Sequence, residues 1–145
     1  MIRRNLLDLN VLIALTELGH AHYESAQAWF NSSGKSAWAV CPLTEAGFIR
    51  VTTNPSYRPV ARSMDQARAI LEAMKDYSGY SYWEINESWA TLTAPFAGRI
   101  VGHQQVTDAY LVGLAIKKNG VLVTFDGSIE RLAGPEFGRN VLVLT

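Results

Sequence analysis

The amino-acid sequence predicts an α/β domain of three layers, α/β/α, built on a central and largely parallel sheet. Two observations carry that prediction. Several short runs are continuously apolar rather than alternating, which suits strands covered on both faces. Between these runs the apolar residues fall at helical spacing, so strands and helices alternate along the chain.

The elements follow in order. Residues 6–13, Leu-Leu-Asp-Leu-Asn-Val-Leu-Ile, read as the first strand. A basic start before an apolar run is also the pattern of a signal peptide. Asp8 and Asn10 interrupt the run, however, and no small-residue cleavage site follows, so it is read as mature structure. Tyr23, Ala26 and Phe30, at i, i+3 and i+7, predict a helix. Residues 37–41 form a second strand stopped by Pro42. Thr44 is placed to cap a helix running through Phe48 and Val51 until Asn54-Pro55 ends it. Ala67, Ile70, Leu71, Met74 and Tyr77 make an amphipathic stripe. Residues 80–85 are a weaker strand, with Ser81, Trp83 and Ile85 on one side and Tyr80, Tyr82 and Glu84 on the other. Val106, Tyr110, Gly113 and Leu114 mark a further helix, whose Lys117-Lys118-Asn119-Gly120 tail suits a helix C-terminus. Residues 121–125 and 141–144 supply the last two strands.

Composition sets the bounds. A chain of 145 residues fits one domain, taken as 1–145, since single cores serve about 100–200 residues. With 48% hydrophobic residues and four Trp, it has the material for a packed core and not the make-up of a disordered chain. No apolar run approaches the roughly 18 residues needed to cross a bilayer, so no membrane role is expected. Cys41 is the only cysteine, which excludes an internal disulfide and a multi-cysteine zinc site and makes a cytoplasmic protein the simplest reading. The formal charge is zero, whereas many nucleic-acid binders are strongly basic. Any positive field for such a partner must then come from local patches or a bound metal.

Most of the thirteen acids have ordinary explanations. Glu24, Asp65, Glu72 and Asp76 lie off their helical stripes, Glu130 and Glu136 belong to polar turns, and Glu84 is expected to point outward. Four do not fit that pattern. Asp8 interrupts an apolar strand, where an ionised carboxylate is costly unless paired or metal-bound. Asp126 closes Val-Leu-Val-Thr-Phe-Asp at the carboxyl end of another strand. Glu45 opens the helix after the second strand, and Asp108 lies in the first turns of the Val106 helix. Ligand sites of open α/β sheets collect just beyond the carboxyl ends of the strands. The plain alternative is that Asp8 and Asp126 cap neighbouring helices and Asp108 complements a helix dipole. Four clustered carboxylates with no evident Lys or Arg partner would repel one another, and a divalent cation resolves that repulsion. All-oxygen ligation favours Mg²⁺ or Mn²⁺ over Zn²⁺. Such a site suits phosphodiester hydrolysis, where metal activates water and steadies charge on the attacking and leaving oxygens.

At these residues the chain resembles the PIN-domain family, and within it the VapC-type toxin ribonucleases of bacterial toxin–antitoxin pairs. The matching segments are Leu-Leu-Asp-Leu-Asn-Val-Leu-Ile-Ala-Leu at 6–15, Cys-Pro-Leu-Thr-Glu-Ala-Gly-Phe-Ile-Arg-Val at 41–51, Thr-Asp-Ala-Tyr-Leu at 107–111 and Val-Thr-Phe-Asp at 123–126. The resemblance implies a central parallel sheet flanked by helices, with the acids meeting at one edge. It implies that Asp8, Glu45, Asp108 and Asp126 form the acidic quartet that holds metal and positions water, supported by Asn10 and by the Thr124 hydroxyl. It also implies RNA as substrate, cleavage by metal-activated water, a cognate antitoxin whose tail covers the site, and a homodimer. None of the four acids is replaced. The clearest departure from the family is the acidic Tyr-Trp-Glu-Ile-Asn-Glu stretch containing Glu84 and Glu87.

Arg50, five residues beyond Glu45, is the basic residue most readily placed near a phosphate, against the alternative of a surface arginine. Arg3, Arg4, Arg58, Arg62, Arg99, Lys117 and Lys118 are further candidates for phosphate contacts. His20 and His22 do not share a helix face and are not expected to bind metal as a pair. His103 lies close in sequence to Asp108. The four Trp are read as core or interface, and Cys41 as a buried, inert thiol. Two rivals are weaker. A phosphoacceptor signalling domain wants an acidic neighbour for Asp8 and a Lys after Asp126, and both are missing. A catalytically silent interaction module has no need of an intact quartet. A deoxyribonuclease shares the acidic site and is separated only by assay.

Overall fold

A computed structural model describes residues 3–57 and 61–145. Arg58, one of the candidate phosphate contacts, lies outside the described residues. The central sheet is five-stranded and parallel throughout. In chain order its strands are β1 (Asn5–Leu7), β2 (Trp38–Val40), β3 (Tyr80–Tyr82), β4 (Val121–Thr124) and β5 (Val141–Val143), arranged β3-β2-β1-β4-β5. The central pair sets Asn5 beside Val121 and Leu7 beside Val123.

The helices divide between the two faces. On one side lie α1 (Leu9–Thr16), α2 (Tyr23–Ser32), α3 (Pro42–Thr52) and α4 (Met64–Met74), whose Leu12, Phe30, Phe48 and Leu71 pack on Leu7, Trp38 and Val123. On the other lie α5 (Trp89–Thr93), α6 (Val106–Lys117) and α7 (Ser128–Ala133), whose Leu92, Leu111 and Ile129 cover Leu6, Ala39 and Leu122. These are the three layers expected. Leu6, Leu7, Ala39, Val40, Leu122 and Val123 are fully buried, which explains why the strand runs carry no alternation. Among the described residues, no helix is long and apolar enough to cross a membrane.

Several boundaries differ from the sequence expectation. Residues 6–13 are not one strand: β1 stops at Leu7 and Asp8 starts α1, accepting a 2.7 Å hydrogen bond from the Leu9 N–H. Val11 to Leu15 is buried as thoroughly as β1, so burial hides the change of period. Thr44 is not the cap of α3. Cys41 precedes the helix, Pro42 starts it, and the Thr44 hydroxyl bonds back to the Cys41 backbone at 3.1 Å. The third strand ends at Tyr82, and Tyr77 lies beyond the end of α4.

Basic residues offered for phosphate mostly serve the fold. Arg4 donates to Gly79 O at 2.6 Å, at the amino end of β1 and so at the sheet edge away from the four acids. Arg62 donates to Thr16 O, Arg99 to Ala133 O, and Lys117 pairs with Glu87 at 3.0 Å. That last pair, with Tyr110 OH donating to Glu87 O, fastens the acidic stretch to α6 and gives it a structural role. Trp38 and Trp83 are buried core, as expected, and Cys41 is a buried free thiol.

Candidate active site

Parallel strands send every chain crossing to the same edge, so the carboxyl ends of β1, β2 and β4 lie together. Asp8 follows β1, Glu45 sits in the first turn of α3 after β2, and Asp126 follows β4. Asp108, in the first turn of α6, meets the same edge. All four stand at helix starts, where exposed N–H groups favour negative charge.

Thr124 organises the centre. Its hydroxyl donates to Asp8 Oδ2 at 2.7 Å and accepts from Asn10 Nδ2 at 3.2 Å and from the Asp126 N–H at 3.0 Å. Asn10 Oδ1 in turn accepts from the Phe125 N–H at 3.1 Å. One hydroxyl thus uses its proton and both lone pairs to tie β1, α1 and the end of β4 together. Asp126 Oδ1 accepts from the Ser128 N–H at 2.9 Å and the Ser128 hydroxyl at 2.7 Å, which links it to the start of α7. Asp8 therefore does cap α1, with a hydrogen bond to each of its oxygens, while Asp126 bonds to the start of α7 through Oδ1 alone.

The electrostatics separate the acids into two groups. Asp8 is 7% exposed. Burial pushes its carboxyl above the usual range, the Thr124 and Leu9 hydrogen bonds oppose that, and the charge of Asp126 adds to it. Burial pushes Asp108 up to about 6, with the charges of Asp8 and Asp126 adding to the rise. These three aspartates therefore feel one another, and none takes part in an ion pair among the described residues.

Glu45 stands apart, contrary to the expectation that the quartet lacks a cationic partner. Its Oε2 lies 2.6 Å from Lys75 Nζ, which is also 2.6 Å from Glu72 Oε2. Burial lowers the affinity of Lys75 for its proton, but the bonds and charges of the two glutamates outweigh this and raise it overall. Lys75 is the site residue that sequence reasoning missed, because nothing local marks it and its partner is distant in the chain. Arg50 is exposed in the last turn of α3, whereas Glu45 occupies the first. At about 1.5 Å of rise per residue the two sit well over one turn apart.

A cavity of about 440 Å³ opens beside the aspartates, lined by Asp108, Asp126, Ser128 and the 101–105 turn that includes His103. His22 stacks on Phe125, with ring centres 4.4 Å apart, and takes no part in the acidic cluster. Among the described residues, no three His, Cys, Asp or Glu side chains close round an ion as they stand. The donor chemistry nonetheless fits a divalent cation: three mutually repelling carboxylates, oxygen donors only, with neutral groups holding Asp8 in place.

Comparison with known proteins adds sequence relatives and fold neighbours. The PIN domain family model matches residues 6–135. Ribonuclease VapC38 of Mycobacterium tuberculosis is 41% identical over 128 residues, covering 88% of this chain and 89% of its own. Ribonuclease VapC39 of the same species is 38% identical over 124 residues, covering 86% and 89%. Among solved structures, VapBC2 from Rickettsia felis bound to a fragment of promoter DNA has a TM-score of 0.65 at 14% identity, covering 97% of this chain and 98% of its own. The sarcin-ricin loop cleaving toxin VapC20 of Mycobacterium tuberculosis has a TM-score of 0.65 at 13% identity, covering 87% and 92%. At those identities the structural likeness is one of fold.

Proposed function

Because the chain belongs to the PIN-domain family, and within it to the VapC ribonucleases, we propose that it is the endoribonuclease toxin of a toxin–antitoxin pair, hydrolysing RNA phosphodiester bonds with metal-activated water. The observation that carries the reading is the cluster of Asp8, Asp108 and Asp126 at the carboxyl edge of the sheet, mutually repelling and without a cationic partner among the described residues. The whole of 1–145 acts as one nuclease unit in this reading. Its partners are RNA, a cognate antitoxin and a second copy of the chain, and its setting is the cytoplasm.

Asp8, Asp108 and Asp126 would hold a divalent ion, Mg²⁺ or Mn²⁺. When bound, such an ion neutralises the carboxylates, lowers the pKa of the attacking water and polarises the scissile phosphate. The protein's own groups supply the positioning. Thr124 fixes Asp8 through Oδ2 and, through the Asp126 N–H, sets the chain direction at Asp126. Ser128 engages Asp126 Oδ1, which leaves Oδ2 as the oxygen to turn toward the ion. Asn10 holds the Phe125 backbone and so keeps the end of β4 from drifting away from α1. The cavity beside Asp108 and Asp126 is of a size to admit a nucleotide next to the reacting phosphate.

The test incubates purified protein with structured RNA and with DNA, with and without Mn²⁺ or Mg²⁺. Expected is RNA cleavage that requires metal and is lost in Asp8→Asn and Asp108→Asn. Metal-dependent cleavage that survives both substitutions would overturn the site, and cleavage of DNA alone would overturn the substrate.

A further inference from the structure

The four acids that the family resemblance groups together fall into two electrostatic sets, and Lys75 belongs to that of Glu45. Lys75 follows directly on α4, and its side chain is only 21% exposed. The ammonium sits over the Tyr80 ring at 5.7 Å and bridges Glu45 and Glu72, each at 2.6 Å. A charge-assisted contact of that length between partly buried groups is a strong one. The Glu45 carboxylate, 25% exposed, exerts its field on Cys41, Tyr80 and Tyr82, on the β2–β3 side of the sheet. The charges that act on Asp108 are those of Asp8 and Asp126. An ion taken up on the other Glu45 oxygen would sit beside the Lys75 ammonium, whose charge opposes it, and releasing Lys75 would leave a shielded ammonium with only Glu72, whose side chain is 59% exposed.

We propose that Lys75 is a positioning residue that holds Glu45 as a neutralised pair outside the aspartate cluster, so that this chain binds one divalent ion, on Asp8, Asp108 and Asp126, and not two. The inference rests on the metal-nuclease reading and narrows it. Glu45 then acts through the pair, which anchors the end of α4 against the start of α3.

The test titrates Mn²⁺ into the metal-free full-length chain and follows free ion by its paramagnetic resonance signal, a readout independent of cleavage. Wild type is expected to take up one equivalent. Lys75→Met frees Glu45 and is expected to take up a second, whereas Lys75→Arg and the double variant Lys75→Met/Glu45→Gln return to one. Two equivalents of similar affinity in wild type, or a Lys75→Met variant that still takes up one, would overturn the proposal and leave the nuclease reading standing. No uptake by wild type would overturn both. The wild-type stoichiometry needs no variant to fold, and circular dichroism of the four proteins keeps the comparison among folded chains.

Discussion

Thr124 has no charge and touches no substrate in this arrangement, yet three groups of the site depend on its hydroxyl. Thr124→Val would remove the donor to Asp8 and the acceptor for Asn10 and the Asp126 N–H. Leaving the buried Asp8 oxygen without its donor costs about 1–3 kcal/mol, and loss of a group that orients ligands typically lowers activity roughly 10–100-fold. Chemical denaturation and RNA cleavage should show both losses, with Thr124→Ser recovering most of each. Asp108 carries the second residue-scale prediction. Its carboxyl titrates at about 6 in the folded chain against an ordinary 3.8. Between those values the unfolded chain has released a proton that the folded chain retains, so metal-free stability falls as pH rises from about 4 to about 6. The group is only half-buried, so solvent screening trims the effect. Unfolding midpoints in EDTA at stepped pH should show a steeper fall in wild type than in Asp108→Asn, where the raised Asp8 carboxyl still contributes. Equal slopes in the two proteins would refute it.

At the scale of elements, the places where the sequence was legible and where it was not have separate physical causes. Both faces of β1, β2 and β4 are covered, so their continuous apolarity announced a parallel sheet, and the acid just past each strand announced the edge that carries the site. The end of β1 was hidden for the same reason, because α1 is equally buried and Asp8 is the only punctuation between them. Read as a helix cap, Asp8 would have marked the boundary. The start of α3 was open to the same treatment through Pro42. The Lys75–Glu45 pair was not legible at all, since it joins the end of α4 to the start of α3 across a connection whose path the residues do not state. One element contact yields a further prediction. A Cβ at Gly113 would stand 2.5 Å from the Leu92 carbonyl oxygen, so α6 and α5 approach too closely for any side chain there. Gly113→Ala must push the two helices apart, at about 1–3 kcal/mol. Because Asp108 rides on α6, RNA cleavage should fall along with the unfolding temperature.

At the scale of the molecule, the sheet is assembled without a hairpin among the described residues. Each neighbouring pair is parallel and reached through a crossover, which makes the contacts long-range and the assembly dependent on distant segments. The central pair is the extreme case, with Asn5–Leu7 beside Val121–Val123 and Asp8 brought to Asp126 only through it. A neutral overall charge fits this design, since the acids that gather at the edge are matched by cations spent elsewhere in the fold. The strand order has one consequence for the cell that makes the protein. Any polypeptide cut short before Val121 lacks one of the two neighbours of β1, the Thr124 hydroxyl and Asp126 together. A fragment of residues 1–120 should therefore leave RNA intact and cells growing when expressed, and unfinished translation products are harmless until the last strands are supplied.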